Sequence, residues 1–270
     1  MQINFIQSIY NLKRVDDISN KKSIIHNLNP VVKILATILY IITVISFDKY
    51  EIIGLLPLLL FIVVTVYLGN IPFKSIWKIS LIGLPLLLGI GIFNLIFERT
   101  IISYMGIIPI TLGMISFTSL IIKGLLTISS GILLISSTGI EGLSRGLRFL
   151  KVPKIFTNQI VFTYRYIFVL VESVGEVYNA YMLRAPNEKG VNLKFCGSLL
   201  GQVLLRSFDR AEVVYNAMIL RGFSGEYISL ENERFKKNDF IYIIFWLVFF
   251  IVVKYINIPL FLGSLVMGGI

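Results

Sequence analysis

Two arginines are the best candidates in this sequence for binding a charged partner, because each closes a copy of the same short phrase. The phrase reads VYNAYMLRAP at residues 177–186 and VVYNAMILRGF at residues 213–223. When Arg184 is aligned with Arg221, six of nine positions are identical. A guanidinium group is a planar fork of N–H donors that pairs with a carboxylate through parallel hydrogen bonds. The repeat therefore predicts two equivalent contacts with an acidic partner.

Both phrases have the features of helix C-termini. Arg184 is followed by Ala185 and Pro186, and proline commonly follows a helix because it cannot continue the hydrogen-bond ladder. Arg221 is followed by Gly222, which enters the left-handed cap conformation at little cost. A cation in the last turn is stabilised by the helix dipole by about 0.3–1 kcal/mol. Simple capping is thus the alternative interpretation, and the duplication favours binding to a common partner.

The neighbours of the arginines indicate what such a partner would look like. Leu183 and Leu220 directly precede the two arginines, so we expect each helix end to insert into a hydrophobic, acidic cleft. One turn earlier, Ala180 and Ala217 occupy matching positions. Small residues let two backbones approach closely, which predicts that the two helices cross near these alanines.

The composition is that of an integral membrane protein, with 56% hydrophobic residues and a mean hydropathy of +0.83. Cys196 and His26 are the single cysteine and the single histidine, so we expect neither a disulfide framework nor a metal site. The net charge of +10 is interpreted as a bias of cytoplasmic loops rather than as affinity for nucleic acid. We also expect no cleaved signal peptide.

Five apolar stretches are candidates for spanning helices, each of which needs about 20 residues. They are residues 31–47, 52–68, 79–97, 115–137 and 240–256.

Three other apolar stretches are harder to assign. Residues 101–112 are too short to span, which predicts an outer loop or a shallow hairpin. Residues 155–171 contain Arg165, whose insertion costs about 2.5–3.5 kcal/mol, so a helix that lies at the interface or against the bundle is favoured over a span. Residues 258–270 are too short alone, and whether they enter the membrane stays open.

The charges predict the orientation. Residues 138–239 carry 14 of the 25 Lys and Arg and 10 of the 15 Asp and Glu. The positive-inside rule places this segment in the cytoplasm together with the N-terminus. The expected organisation is a cytoplasmic segment at 1–30, four spans within 31–137, a cytoplasmic domain at 138–239 and a last span within 240–270. We expect a multi-pass protein of the cell membrane.

The chain resembles the transmembrane T component of energy-coupling factor (ECF) transporters, and within that family the cobalt-transport CbiQ type. The resemblance covers most of the chain. It is carried by LNPVVKILAT, LLISST, LRFLKVPKIF and TYRYIFVLVES, and it is densest in GSLLGQVLLRSFDRAEVVYNAMILRGF. It implies an all-α fold, a polytopic membrane protein with about five transmembrane helices and a cytoplasmic pair of long coupling helices.

The resemblance also implies a function. In the family, each coupling helix ends in a short Ala/X-Arg-Gly/X motif that docks into a groove on one of two ABC-type ATPases. The matching residues here are Leu183, Arg184, Ala185, Leu220, Arg221 and Gly222. Leucine stands where alanine is common, and Ala185 replaces the usual glycine.

On this reading the chain is a non-catalytic coupling and scaffold subunit of an ABC importer, with no cofactor of its own. Partner ATPases would bind ATP and Mg and hydrolyse the nucleotide. Their closure would be transmitted to a separate substrate-binding S-type membrane subunit. Cobalt follows from the resemblance to the CbiQ type; nickel, or a T component shared by vitamin-binding subunits, remains open.

Two other function classes fit the sequence less well. A self-sufficient secondary transporter needs ionisable groups near the midplane, and no Asp or Glu lies inside the proposed spans. Lys123 is the internal exception and is interpreted as reaching outward. A membrane enzyme needs clustered catalytic groups, and no GxxxxGK[ST] sequence occurs.

A glycine-rich stretch in the third candidate span has two interpretations. Gly83, Gly89 and Gly91 lie near Pro85. They indicate either close helix packing with a kink or an adaptable face for a partner subunit.

Overall fold

The computed structural model describes residues 23–98, 100–105, 108–185, 190–225 and 235–255, and these are predominantly helical. Helices α1 (Pro30–Ser46), α2 (Leu59–Gly69), α3 (Phe73–Ile82), α4 (Leu84–Phe97) and α5 (Leu112–Phe149) come first. Helices α6 (Lys154–Arg184), α7 (Leu193–Leu220) and α8 (Lys237–Tyr255) follow. A 3-10 segment, Ile53–Leu58, leads into α2.

A short hairpin joins α4 to α5. Strand β1 (Ile101–Met105) pairs antiparallel with β2 (Ile108–Thr111). The predicted shallow hairpin is therefore present, and apart from it the described residues bear out the all-α membrane fold class. The predicted tail at 258–270, most of the segment at 1–30, and Pro186 lie outside the described residues.

The described chain divides into two compact units. The first, residues 147–225, contains α6 and α7 and includes the ambiguous stretch 155–171 as the first half of α6. The second, residues 23–146 and 235–255, contains the other helices and the β1–β2 hairpin. We call the first the α6–α7 unit and the second the bundle unit.

The five predicted spans all fall on apolar helices of the bundle unit. Helices α5 and α8 are each long and apolar enough to cross a membrane, and α3 with α4, bent by 50°, passes the same test as one broken span. Helix α1 and the stretch Ile53–Gly69 are shorter apolar helices. Helix α5 changes direction at Gly139, whose φ of 69° favours glycine. That break lies just after the predicted span at 115–137.

Helices α1 and α8 are parallel neighbours. Near their N-termini the buried carboxylate of Asp239 accepts hydrogen bonds from the backbone N–H groups of Asn29, at 2.9 Å, and Lys236, at 2.7 Å. Near their C-termini the Nζ of Lys254 donates to the carbonyl of Ser46. The two helices therefore begin on the same face of the bundle, as the predicted topology requires.

Helix α5 runs antiparallel to α1. The Nζ of Lys33, in the first turn of α1, donates to the carbonyl of Ser137 at 2.9 Å. At the opposite end the Nζ of Lys123 donates to the carbonyl of Phe47 at 2.7 Å. Lys123 thus reaches towards the end of the bundle, as predicted, and there it bonds to the carbonyls that follow α1.

An aromatic cluster holds α1, α2 and α8 together. Tyr40 stacks on Phe61 at a centroid distance of 4.6 Å, and Phe61 meets the edge of Trp246 at 4.7 Å. Phe250 lies 5.6 Å from Phe61 and 5.7 Å from Trp246. Each such pair adds about 0.5–1.5 kcal/mol beyond the burial of its apolar area. All four side chains are buried, so this cluster is the centre of the bundle.

Glycines permit close contact between α4 and α5. A Cβ at Gly83 would lie 2.5 Å from Ile128, and one at Gly91 would lie 2.6 Å from Phe117. By contrast, a Cβ at Gly89 would meet nothing within 4 Å. Close packing therefore explains Gly83 and Gly91, and it does not explain Gly89.

Candidate partner-docking hairpin

Helices α6 and α7 form an antiparallel hairpin whose register is visible in side-chain contacts. At one end the ring of Tyr181 lies 6.1 Å from that of Phe195, and the Tyr181 hydroxyl accepts a hydrogen bond from the N–H of Asn192 at 3.4 Å. Further along, Arg206 forms an exposed ion pair with Glu176 at 3.4 Å. Residues late in α6 therefore lie beside residues early in α7.

The other end of the hairpin has the reverse pairing. The ring of Phe162, early in α6, lies 6.5 Å from the ring of Phe223, just after α7. The Nδ2 of Asn158 donates to the carbonyl of Gly225 at 3.1 Å. Because α7 has 28 residues, the two helix C-termini are separated by about 40 Å along the hairpin.

The first arginine motif lies at the C-terminus of α6, as predicted. Arg184 is the last helical residue and is exposed. The N–H of Ala185 bonds to the carbonyl of Tyr181 at 3.0 Å and closes the last turn. Leu183 is 83% exposed. The motif thus presents a cation and an apolar side chain together.

The second motif lies at the C-terminus of α7 and ends in a Schellman cap. Gly222 has a φ of 81°, and its N–H bonds to the carbonyl of Ile219 at 2.9 Å. The N–H of Phe223 bonds to the carbonyl of Met218 at 3.0 Å. This pair of hydrogen bonds defines the Schellman motif, in which glycine supplies the left-handed residue. Arg221 is the exposed C-cap residue itself.

The leucine of the second motif repeats the exposure of the first. Leu220 is 88% exposed, close to the value for Leu183. The two motifs therefore share an exposed leucine followed by an exposed arginine at a helix end, and the second adds a glycine cap.

The predicted crossing at the alanines is not found. Ala180 and Ala217 are both exposed, and the antiparallel register places them at opposite ends of the hairpin. The physical reason is that each alanine lies one turn before its own helix end, and those two ends point in opposite directions. The structure brings the three residues of each motif together and keeps the two motifs apart.

A groove of about 580 Å³ runs between α6 and α7, and sequence reasoning did not predict it. Its lining is mainly apolar and aromatic, with the basic side chains of Arg206 and Arg210 on one wall. The groove includes Met218 and Phe223, the two residues joined by the Schellman hydrogen bond. Apolar residues that recur every three or four positions on both helices are the signal that could have predicted this groove.

Metal-binding side chains do not gather within the described residues. No group of three His, Cys, Asp or Glu residues lies close enough there to hold a metal ion.

Comparison with known proteins places the chain in a family. The family CbiQ, described as cobalt transport protein, matches residues 21–231, which include both arginine motifs. The energy-coupling factor transporter transmembrane protein EcfT of Streptococcus equi subsp. equi is 28% identical over 222 residues, 75% of this chain and 80% of its own. An uncharacterised protein of Methanocaldococcus jannaschii is 23% identical over 232 residues, 82% of this chain and 79% of its own. The chain belongs to the CbiQ cobalt transport protein family.

Proposed function

We propose that this chain is the transmembrane coupling subunit of an ATP-driven importer of the ECF type. In this proposal each end of the α6–α7 hairpin binds one of two ABC-type ATPase subunits. The observation that carries it is the pair of matching motifs, Leu183–Arg184 and Leu220–Arg221, at opposite ends of one hairpin. The similarity to the Streptococcus equi EcfT supports the same assignment.

The chemistry of each end suits a cleft on a soluble protein. Burial of one exposed leucine side chain contributes about 1.5–3 kcal/mol to binding. The adjacent guanidinium supplies charge-assisted hydrogen bonds to carboxylates at the rim of the cleft. A shared arrangement at both ends fits two copies, or two close relatives, of one ATPase subunit.

The separation of the ends suits the transmission of motion. The helices have 31 and 28 residues, and lateral contacts hold them together at both ends. When ATP binding draws two ATPases together, both ends of such a hairpin are pulled at once. The hairpin would convert that closure into a movement of a separate substrate-binding membrane subunit. This chain would contribute no ATP, Mg or substrate site of its own.

Cobalt is the proposed substrate, because the matching family is described as a cobalt transport protein. Recognition of the ion would belong to the substrate-binding subunit. Uptake of labelled Co²⁺ in cells, with Ni²⁺ and vitamins as competitors, distinguishes a dedicated cobalt system from one that serves several substrates.

The decisive experiment is co-purification of the tagged chain from membranes of its native host. The wild type is compared with the double variant Arg184→Glu/Arg221→Glu, and partners are identified by mass spectrometry. We expect the wild type to retain two ABC ATPase subunits and a small membrane protein, and the double variant to lose the ATPases. Arg206→Glu is the matched control, because it reverses an exposed charge in the middle of the hairpin. Two outcomes would overturn the proposal: the double variant retains the ATPases, or the wild type itself retains none.

A further inference from the structure

The bundle unit contains a second groove, of about 560 Å³, between α1, α4 and α5. Its walls have two distinct chemistries. Aliphatic side chains form one part, among them Ile45, Leu87 and Leu120. Hydrogen-bond donors form the other, among them Lys49, Ser119 and Lys123.

The donors are aligned along one face of α5. Ser116, Ser119, Lys123 and Thr127 follow one another at intervals of three or four residues, which places them on one side of the helix. Ser116 and Thr127 each bond to a backbone carbonyl one turn earlier, at 3.2 Å and 3.0 Å. Ser119 is different, because its hydroxyl has no hydrogen-bond partner within the described part of the chain and its side chain is only 1% exposed.

A buried hydroxyl without a partner is rare, since nearly all buried polar groups in proteins are hydrogen-bonded. A ligand that supplies an acceptor in the groove would satisfy it.

The charged side chains among the described groove lining are two lysines, Lys49 and Lys123. The Nζ of Lys123 donates to the carbonyls of Phe47 and Asp48 at 2.7 Å and 3.0 Å, which leaves one of its three N–H donors for a ligand. Lys49 pairs with Glu98, whose carboxylate also accepts from Ser116 at 3.0 Å. No carboxylate is among the described residues that line the groove. The groove is therefore rich in donors and suited to an anion.

The position of the groove selects among anions. It lies at the end of the bundle where α1 and α4 stop, at Ser46 and Phe97, and where charged residues mark the edge of the spans. Its aliphatic wall continues from there along the same helices, and Ile45 is 67% exposed. A ligand with an anionic head and an apolar tail matches both parts of the lining.

We propose that this groove binds one anionic phospholipid. The phosphate lies against the Lys123 ammonium and the Ser119 hydroxyl, with Lys49 at the rim. One acyl chain lies along Ile45, Leu87 and Leu120. The bound lipid fills the space between the bent α3–α4 span and α5 and fixes the position of α4 in the membrane.

Native mass spectrometry of the intact membrane complex tests this inference, with phosphatidylglycerol and phosphatidylcholine as the probes. We expect the wild type to retain one phosphatidylglycerol per copy of this chain, with at least about fivefold preference over phosphatidylcholine, as one basic contact near a lipid surface provides. Leu120→Trp, which fills the groove, should abolish retention. Ile135→Trp, at a partly exposed position on the same helix outside the groove lining, should leave retention unchanged.

Two further variants separate the headgroup from the fold. Lys123→Gln should lower phosphatidylglycerol retention about fivefold and leave the phosphatidylcholine background unchanged. Because Lys123 also bonds to the carbonyls after α1, Ser119→Ala provides a second test if Lys123→Gln fails to fold: it removes the other phosphate contact and breaks no hydrogen bond of the described residues, and it should also lower phosphatidylglycerol retention. Absence of lipid from the wild-type complex, equal retention of the two lipids, or unchanged retention in Leu120→Trp would each overturn the proposal.

Discussion

Arg184 and Arg221 lie at opposite ends of one antiparallel hairpin, although the phrases that contain them are nearly the same. The register is set by the contact of Tyr181 with Phe195 at one end and of Phe162 with Phe223 at the other. A duplicated phrase on an antiparallel pair of helices creates two separate surfaces rather than one enlarged surface. Two separate surfaces require either two partners or one partner with two distant contacts.

The two arginines should act independently in binding. Charge reversal at a desolvated ion pair is costly, so we expect Arg184→Glu and Arg221→Glu each to weaken binding of the ATPase pair at least about tenfold. Effects of sites more than about 10 Å apart add in free energy within about 0.5 kcal/mol. A double-mutant cycle on the purified complex measures this. A coupling well above that limit would show that the arginines share one contact.

The exposed leucines should matter for binding and hardly at all for stability. Leu183→Ser and Leu220→Ser remove apolar surface that is already open to solvent, so the melting temperature of the isolated chain should stay nearly constant. Affinity for the ATPases should fall by about 1.5–3 kcal/mol for each change. Leu204→Ser, at an exposed position in the middle of α7, is the matched control. An equal loss of affinity in the control would contradict the docking role of the helix ends.

The glycine cap of α7 gives a test of how Arg221 is positioned. Gly222→Ala forces a side chain into a left-handed conformation, which costs about 1–2 kcal/mol, and should disturb the cap that orients Arg221. Gly201→Ala adds the same methyl group within α7, where nothing lies within 4 Å, and should stabilise the helix by about 0.5–1 kcal/mol. Thermal unfolding and ATPase binding of both variants check this. Opposite signs are expected in thermal unfolding, and ATPase binding should weaken only in Gly222→Ala.

Tight packing between α4 and α5 should make Gly113 intolerant of substitution. A Cβ there would lie 2.6 Å from the carbonyl oxygen of Glu98 and 2.7 Å from that of Asn94, and backbone cannot move aside as a flexible side chain can. We expect Gly113→Ala to destabilise the bundle by about 1–3 kcal/mol. Gly89→Ala, at an open position on α4, should be close to neutral. Similar unfolding midpoints for the two variants in detergent would disprove the packing argument.

The ion pair at the end of the bundle predicts a dependence on pH. The hydrogen bond from Lys49 is the main cause that holds the pKa of Glu98 below its ordinary value, and Ser116 adds to it. A carboxylate with a lowered pKa in the folded state stabilises the fold above its unfolded pKa, about 4.3, and this contribution is lost as the pH falls through the folded pKa. The melting temperature should therefore decline on acidification of the wild type, and less so in Glu98→Gln. The same decline in both proteins would count against the pair.

Local chemistry made the helix ends predictable, and long-range contacts decided what the sequence could not show. In the sequence, Pro186 and Gly222 predict the ends of α6 and α7, because proline and glycine affect the backbone conformation next to them. The placement of Ala180 relative to Ala217 depends on which side chains meet between the helices, and no local signal encodes that register. The cytoplasmic side of residues 138–239, their boundaries and the roles of the two motifs stay predictions.

The partners of the buried polar groups could not be predicted from the sequence either. Lys33 has the appearance of a residue at the start of a span, and the structure buries its ammonium against the carbonyl of Ser137, more than a hundred residues away. Lys123 was expected to reach outward, which it does, yet its bonds to Phe47 and Asp48 depend on a helix far from it in sequence.

The hydrogen bond between Asp239 and Asn29 joins residues 210 positions apart and ties α8 to α1. Ribosomes add about 5–20 residues per second, so α1 is synthesised roughly 10–40 s before its principal neighbour exists. During that interval the buried face of α1, including Tyr40, lacks the aromatic partners that α8 supplies. Packing around α1 is therefore completed only after α8, near the C-terminal end of the chain, has been synthesised.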